Sequence, residues 1–162
     1  MQTVEWNKGW SFSRLSEMDK AVVVDLPHDA MLAEPRGAHC PSGVNGCWYE
    51  GYDYCYIKRF TAPESWLEQD VFWEFEGVYH NAEIWLNDVK IASWRYGYTR
   101  FFAPAGDALR AGENELKVIA RNADQPNSRW YSGAGLYRPV WLHIAPKKRL
   151  KTDGVRIRTL SL

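Results

Sequence analysis

The 162-residue sequence lacks an apolar run of the length that crosses a bilayer, since no stretch approaches about 18 hydrophobic residues. It also lacks net charge, because 20 Lys and Arg balance 20 Asp and Glu. A neutral chain has no global attraction to polyanions, so we expect neither nucleic acid nor a membrane as a partner. No basic segment followed by an apolar one opens the sequence, and no Asn-X-Ser/Thr sequon occurs.

Cysteine is scarce and confined to one stretch, at Cys40, Cys47 and Cys55. An odd number leaves at least one thiol without a partner in the chain, and no second Cys/His group gives the spacing of a zinc site. We interpret the cysteines as free thiols of a reducing compartment and expect no metal site. With the absence of a leader-like N-terminus, this favours a bacterial cytoplasmic location over secretion.

Aromatic residues are abundant: nine Trp, nine Tyr and six Phe make up 15% of the chain. One interpretation is a β-rich core, since aromatic side chains pack well on pleated sheets. The other is stacking on a ligand with flat apolar faces, and the neutral charge favours sugars over bases. Composition alone leaves both open.

Inward-facing hydrophobic residues alternate with a second set of residues over residues 71–76, 82–87 and 116–121, which predicts strands with one face on a core. Further strands are predicted at residues 21–25, 54–60, 91–94, 101–103, 140–144 and 155–159. No stretch keeps a long helical period, and residues 63–67 are predicted to form one short turn. Asn87 and Asp88 separate two apolar runs and predict a hairpin.

Many short strands with almost no helix predict an all-β, antiparallel sandwich or barrel. Two long connections, residues 27–53 and 122–139, interrupt the pattern, and such loops are usually functional or cover another domain. Residues 146–151 are basic and contain a proline, after which residues 154–160 alternate again. We therefore predict a domain at residues 1–146, followed by a linker and the first strand of a further domain at residues 147–162.

The most specific stretch is residues 130–142, WYSGAGLYRPVWL. Two glycines flank Ala134 and permit a tight turn before a strand. Four other segments accompany it in the chain: DLPHD at 25–29, GYDYCYIKRF at 51–60, FEGVYHNAEIWLN at 75–87 and AGENEL at 111–116. Together they resemble the N-terminal sugar-binding domain of family 2 glycoside hydrolases, which include β-galactosidases, β-glucuronidases and β-mannosidases. The resemblance runs from about residue 10 to residue 144, in the family's order.

This resemblance implies a galactose-binding-domain-like jelly-roll β-sandwich, followed in a full enzyme by an immunoglobulin-like domain and a TIM barrel. The two glutamates of the retaining mechanism, which stand about 5–5.5 Å apart, belong to that barrel. We therefore expect no catalytic residue and no cofactor in this chain, and any cation to lie in the barrel. Glu74, Glu76 and Glu83 lie on predicted strands and are interpreted as solvent-facing.

In the family, the connection before the glycine turn forms part of the active-site wall. The resemblance therefore implies substrate contacts, in the full enzyme, from Asp124, Asn127, Ser128, Arg129 and Trp130. Ser128 stands where some galactosidases of the family carry an acidic residue. On the other long connection, Asn45 and Trp48 are further candidates. The alternative for all of these side chains is packing within a long loop.

The remaining residues of these motifs are expected to have structural roles rather than to contact a ligand. This group comprises His28, Asp29, Gly133, Gly135, Tyr137 and Arg138. His28 and Asp29 belong to a turn and are expected to hydrogen-bond nearby backbone. Trp94, Tyr96 and Tyr98 form an aromatic cluster that we expect to be buried under a loop, with sugar stacking as the alternative.

The sequence thus predicts the non-catalytic sugar-binding domain of a retaining β-glycosidase that hydrolyses O-glycosidic bonds, with galactosides favoured. Its partners are a β-glycoside and the other domains of the same chain, with a homo-oligomer left open. The fragment alone is expected to be inactive. One alternative is an autonomous carbohydrate-binding module or lectin, and another is an interaction domain with no sugar role.

Overall fold

The two-residue alternation of the sequence produces two antiparallel sheets in the computed structural model, which describes residues 1–161. The strands are β1 (Gln2–Glu5), β2 (Trp10–Arg14), β3 (Val22–Val24), β4 (Asp53–Ala62), β5 (Gln69–Phe75), β6 (Ala82–Leu86), β7 (Val89–Trp94), β8 (Phe101–Pro104), β9 (Gly112–Arg121) and β10 (Val140–Pro146). Short 3-10 helices lie at Met18–Lys20, Ala30–Ala33, Glu64–Glu68 and Gly106–Ala108. The predicted all-β, antiparallel class is confirmed.

The four-stranded sheet has the order β1-β10-β5-β8, and the six-stranded sheet has the order β3-β2-β4-β9-β6-β7. Their facing sides form one hydrophobic core. From the six-stranded sheet, Ile84 on β6 pairs with Val118 on β9, and both side chains are fully buried. Trp73 and Leu142 supply buried side chains from the opposite sheet. Burying each large apolar side chain stabilises the fold by about 1.5–3 kcal/mol.

The β6–β7 hairpin turns at the predicted dipeptide. Asn87 and Asp88 have φ values of 48° and 65°, the left-handed conformation that a two-residue turn of this hand requires. The Asn87 amide also anchors the turn, donating to the Ala108 carbonyl at 2.8 Å while its Oδ1 accepts from the Glu115 N–H at 3.0 Å. The hairpin prediction is confirmed. The Asn87 side chain also joins the turn to residues that are distant in the sequence.

Three strand assignments differ from the sequence-based expectation. β1 and β2 were not predicted, since β1 consists mostly of exposed residues and the apolar–serine alternation of β2 extends over only five residues. Residues 155–159 form no strand, and Ile157 is 95% exposed. The alternation there has no partner strand within residues 1–161, and an unpaired segment cannot form a ladder. No helix within those residues is long and apolar enough to cross a membrane.

Gly135 is a position where both conformation and space exclude a side chain. Its φ is +78°, and a Cβ built there would lie 2.1 Å from the Tyr56 hydroxyl oxygen. We expect Gly135→Ala to lower the free energy of unfolding by about 3 kcal/mol, from left-handed strain plus the steric clash. The measurement is urea unfolding followed by circular dichroism.

Gly106→Ala is the matched control, because Gly106 has a φ of +54° and open space around the added Cβ. This variant measures only the cost of placing a side chain at a positive φ, which is about 1 kcal/mol. Equal losses in the two variants would show that the close contact with Tyr56 does not matter.

Candidate functional site

The two long connections meet at the carboxylate of Asp29. One oxygen, Oδ1, accepts the backbone N–H of Met31 at 3.1 Å and that of Ala134 at 3.0 Å. The other, Oδ2, accepts the Tyr131 hydroxyl at 2.6 Å. Burial and the hydrogen bond to Asp29 raise the pKa of Tyr131, so this phenol remains a donor at neutral pH. Asp29 therefore joins the start of the first connection to the end of the second.

The glycine turn fits closely around this junction. Gly133 and Gly135 have φ values of +69° and +78°, and a Cβ on Gly133 would lie 2.8 Å from the Asp29 carboxylate. Behind Gly135 lies the buried Tyr56, whose hydroxyl hydrogen-bonds His28 Nδ1 at 2.9 Å. Burial lowers the pKa of His28, which favours a neutral ring at this contact. Asp29 accepts a nearby backbone N–H, as expected, whereas His28 binds the Tyr56 side chain rather than the nearby backbone that the turn motif had suggested.

The next two motif residues hold the segment at residues 95–98. The Tyr137 hydroxyl donates to the Gly97 carbonyl at 2.8 Å. Arg138 Nη1 lies 3.3 Å from the Tyr98 carbonyl oxygen. The turn that Asp29 fixes from one side therefore positions a second loop on its other side.

An open cleft of about 360 Å³ lies between residues 95–98 and 127–130. Its volume is at the lower end of the range of about 300–1,000 Å³ for small-molecule sites. Trp130 and Tyr96 border it, and each is 60% exposed. The indole N–H of Trp130 donates to the Tyr98 hydroxyl at 3.1 Å, which orients the exposed ring. The cleft therefore offers two aromatic surfaces to a ligand.

Asn127 borders this cleft, but its side chain is engaged internally. Its Nδ2 lies 3.0 Å from His80 Nε2, 2.9 Å from Asn122 Oδ1 and 2.8 Å from the Asp124 carbonyl. Its Oδ1 accepts from the Tyr79 hydroxyl at 3.2 Å. Burial lowers the pKa of His80, so the ring is neutral and its Nε2 can accept. The geometry supports a loop-fixing role for Asn127 over a direct sugar contact.

The remaining predicted contacts divide between two regions. Ser128, Arg129 and Trp130 line the cleft, whereas Asp124 lines a separate neighbouring groove. Asn45 and Trp48 lie on the other long connection and are not part of the cleft lining. The structure therefore brings four of the seven predicted substrate-binding residues to the cleft, namely Asn127, Ser128, Arg129 and Trp130, although the Asn127 amide is engaged within the loop.

Sequence reasoning missed or misjudged several residues of the site. Trp94 is 40% exposed and Tyr96 is 60% exposed, so their expected burial under a loop is wrong. β7 is an edge strand of its sheet, which leaves the residues after it uncovered. Tyr79, His80 and Arg95 also line the cleft or its base, although no local pattern distinguishes them.

The three strand glutamates are not simply solvent-facing, as the alternation had suggested. Glu74 lies 2.9 Å from His143 Nε2, and Glu83 accepts from Arg121 Nε at 3.1 Å. Glu76 is also partly buried. Glu74 and Glu83 lie on the outer faces of β5 and β6 but are held in side-chain networks, whereas Glu76 follows β5 and accepts the Trp141 indole N–H at 2.7 Å. Within residues 1–161, no group of three or more His, Cys, Asp or Glu side chains is placed to hold a metal ion. Cys40, Cys47 and Cys55 are free thiols.

Residues 8–148 match the family described as glycosyl hydrolase 2 galactose-binding domain-like, and the chain belongs to this family. A β-galactosidase of Bacteroides ovatus is 40% identical over 121 residues, which are 74% of this chain and 14% of that protein. A β-glucuronidase of Bacteroides fragilis is 28% identical over 153 residues, which are 88% of this chain and 21% of that protein.

A solved structure of a glycosyl hydrolase family 2 member from Bacteroides cellulosilyticus superposes with a TM-score of 0.81 at 28% identity, covering 90% of this chain and 21% of that one. The family resemblance and the galactose-binding-like sandwich predicted from the motifs are confirmed. The chain spans only 14% to 21% of the length of these relatives.

Loss of the Asp29 carboxylate should destabilise the junction of the two connections. We expect Asp29→Ala to lower the free energy of unfolding by about 2–3 kcal/mol, because two backbone N–H groups and a phenol lose a charged acceptor. Tyr131→Phe removes one of these bonds and should cost about 1 kcal/mol. Tyr96→Phe is the control, since that ring is largely exposed. Urea unfolding measures all three, and an unchanged Asp29→Ala variant would contradict the assigned role.

Stability should fall as the pH decreases below the ordinary pKa of histidine. The pKa of His80 is lowered in the folded state, so the unfolded chain binds a proton first, from about pH 6.5 downwards. The unfolding free energy should therefore be smaller at about pH 5.5 than at about pH 7.5, by at most about 1.4 kcal/mol per pH unit from this group. His80→Gln should show a shallower dependence of the unfolding free energy on pH. His39→Gln, a substitution at an exposed residue, should show the dependence of the parental chain. Identical slopes in all three proteins would contradict this account.

Proposed function

We propose that this chain is the non-catalytic sugar-binding domain of a retaining β-glycosidase, and that it contributes the cleft beside Trp130 to glycoside binding. Galactosides are the favoured substrates. Family membership supports a place within a glycoside hydrolase, because the relatives that share this domain are named as glycosidases and are several times longer. The two carboxyl groups of the retaining reaction would stand on another domain of the same polypeptide.

The observation that carries the proposal is the pair of exposed aromatic side chains beside an open cleft. Trp130 is held by its indole N–H, so its ring presents a fixed face without a large loss of side-chain freedom on binding. Sugar C–H faces are apolar and flat enough to pack on such a ring, while Ser128 and Arg129 at the rim supply polar groups for hydroxyls.

The same proposal includes the rest of the polypeptide. The immunoglobulin-like and barrel domains would follow the sandwich, with residues 147–162 as the start of that continuation, and the protein would reside in the cytoplasm. An autonomous carbohydrate-binding module is the competing function. It would be favoured by a complete reading frame that encodes no barrel and by micromolar sugar binding of this chain alone.

We expect the chain to bind galactose weakly and Trp130→Ala to weaken that binding about tenfold, a change of about 1.4 kcal/mol. Trp48→Ala is the matched control, since Trp48 is a partly exposed tryptophan outside the cleft. Titration calorimetry provides the measurement. If Trp48→Ala lost galactose binding and Trp130→Ala kept it, the sugar would bind on the connection at residues 27–53 instead.

A hydrolysis assay provides a second test of the proposed function. The chain should release no nitrophenol from p-nitrophenyl β-galactoside, whereas the product of the complete reading frame should do so. Turnover by the chain alone would contradict a non-catalytic role.

A further inference from the structure

The outer face of the four-stranded sheet contains side chains that are buried although they point away from the core. Side chains alternate between the two faces of a strand, and the neighbours of Phe72 on β5 and of His143 on β10 enter the hydrophobic core. Phe72 and His143 therefore face outward, yet they are only 5% and 7% exposed. Arg149, which follows β10, lies against this patch, with its guanidinium carbon 4.7 Å from the centroid of the Phe72 ring.

Arg149 also forms an ion pair with the sheet. Its Nε donates to Asp70 Oδ2 at 3.1 Å, and its Nη2 donates to the same oxygen. The side chains of Arg149 and Asp70 are 20% and 35% exposed, so this pair is less screened than one at the open surface. The guanidinium thus combines a charge-assisted contact with packing on an aromatic ring. This contact anchors the chain at the beginning of β5.

A second anchor holds the chain four residues later. Asp153 Oδ2 accepts from Arg100 Nη2 at 2.6 Å, and Arg100 Nη1 donates to Glu74 Oε1 at 3.3 Å. Glu74 is itself held by His143, whose Nε2 lies 2.9 Å from Glu74 Oε2. The second anchor is therefore connected to the buried patch on the outer face.

The two anchors reverse the direction of the chain. β10 ends at Pro146, which pairs with Gln69 at the beginning of β5, and the two strands are antiparallel. A chain that continued straight from β10 would leave the sheet at this end. Instead it binds first Asp70 and then, through Arg100, a position beside Glu74, about 13 Å further along β5 at about 3.3 Å per residue. The chain therefore folds back over the outer face before it continues.

A connection rich in like charges ordinarily extends through self-repulsion, and residues 146–151 are basic. Here residues 149–153, which we call the strap, are held by the two anchors and by a turn in which the Gly154 N–H donates to the Lys151 carbonyl at 2.8 Å. We propose that the strap sets the position at which the chain leaves the sandwich and thereby orients the domain that follows. The inference rests on the proposed function for the presence of that domain, and it is independent of the sugar cleft.

Trypsin measures whether the strap is docked, because proteolysis follows the population of the locally open segment. It cleaves after Lys151 inside the strap and after the exposed Arg156 beyond it, so the ratio of the two rates cancels changes in trypsin activity. A synthetic peptide of residues 145–162 gives the ratio for an undocked segment. In the 162-residue chain, we expect relative cleavage after Lys151 to be about tenfold slower than in the peptide. Mass spectrometry provides both rates.

Asp70→Asn and Arg100→Gln each remove one anchor and leave the cleavage sequence unchanged. Each should raise relative cleavage after Lys151 about threefold, as expected for one partly exposed ion pair. Raising NaCl to about 0.5 M should raise it in the parental chain as well. Arg59→Gln is the matched control, because Arg59 pairs with Glu115 on the six-stranded sheet. Circular dichroism confirms that each variant is folded.

Two results would overturn the inference at this stage. Equal cleavage ratios in the parental chain and in the peptide would show that the strap is not docked. A ratio that stays at the parental value in both anchor variants and at high salt would show that the ion pairs do not hold it.

The product of the complete reading frame tests the orienting role. Small-angle scattering should give a larger radius of gyration for the double variant Asp70→Asn/Arg100→Gln than for the parental protein, and an unchanged one for Arg59→Gln. An unchanged value in the double variant would overturn the orienting role. A product without a further domain would contradict the proposed function and remove the orienting role with it, whereas failure of sugar binding alone would leave the inference in place.

Discussion

The carboxylate of Asp29 is the contact on which the arrangement of the site depends. It accepts three hydrogen bonds from partners on both long connections, where local secondary structure provides few backbone bonds. Long loops lose considerable conformational entropy when they are ordered, and a charged acceptor that satisfies several donors offsets part of that loss. The residue next to one of these donors, Tyr131, is Trp130 of the cleft. The cleft is thus fixed from beneath by a junction whose Asp29 and Tyr131 are not part of its lining.

The junction and the cleft differ in the physical character of their residues. At the junction, Gly133 and Gly135 have positive φ values, and Asp29 and the buried Tyr56 leave no space for a side chain at either position. In the cleft, the side chains of Tyr96, Trp130, Arg95 and Arg129 are exposed at the surface. Exposed aromatic and cationic side chains contribute little to folding, which is consistent with a ligand as their partner. The residues that stabilise the fold and the residues proposed to bind sugar therefore form adjacent but separate sets.

The strands with strict alternation, β5, β6 and β9, could be predicted from the sequence because one face of each enters the core. The turn at Asn87 could also be predicted, since its signal is local. The absence of a strand at residues 155–159 could not, because strand formation depends on a partner elsewhere in the chain. The connection before the glycine turn indicated the cleft through Asn127, Ser128, Arg129 and Trp130.

The rest of the site depends on contacts between residues distant in the chain. The engagement of Asn127 requires His80 and Asn122 on other segments, so the sequence could not show that its amide is occupied. Arg95 and Arg129 likewise line the same cleft because Tyr137 holds the segment at residues 95–98 through the Gly97 carbonyl. A local sequence pattern predicts which face of a strand is buried. A site between two loops can be predicted only when the relative positions of the loops are known.

The central claim is that sugar binds beside Trp130, on a surface fixed by the Asp29 junction. The most direct test is an amide and indole chemical-shift map of the chain titrated with galactose. The account predicts that the Trp130 indole N–H and the amides of residues 95–98 and 127–130 shift together, while those of residues 40–50 do not. Shifts confined to residues 40–50 would contradict it.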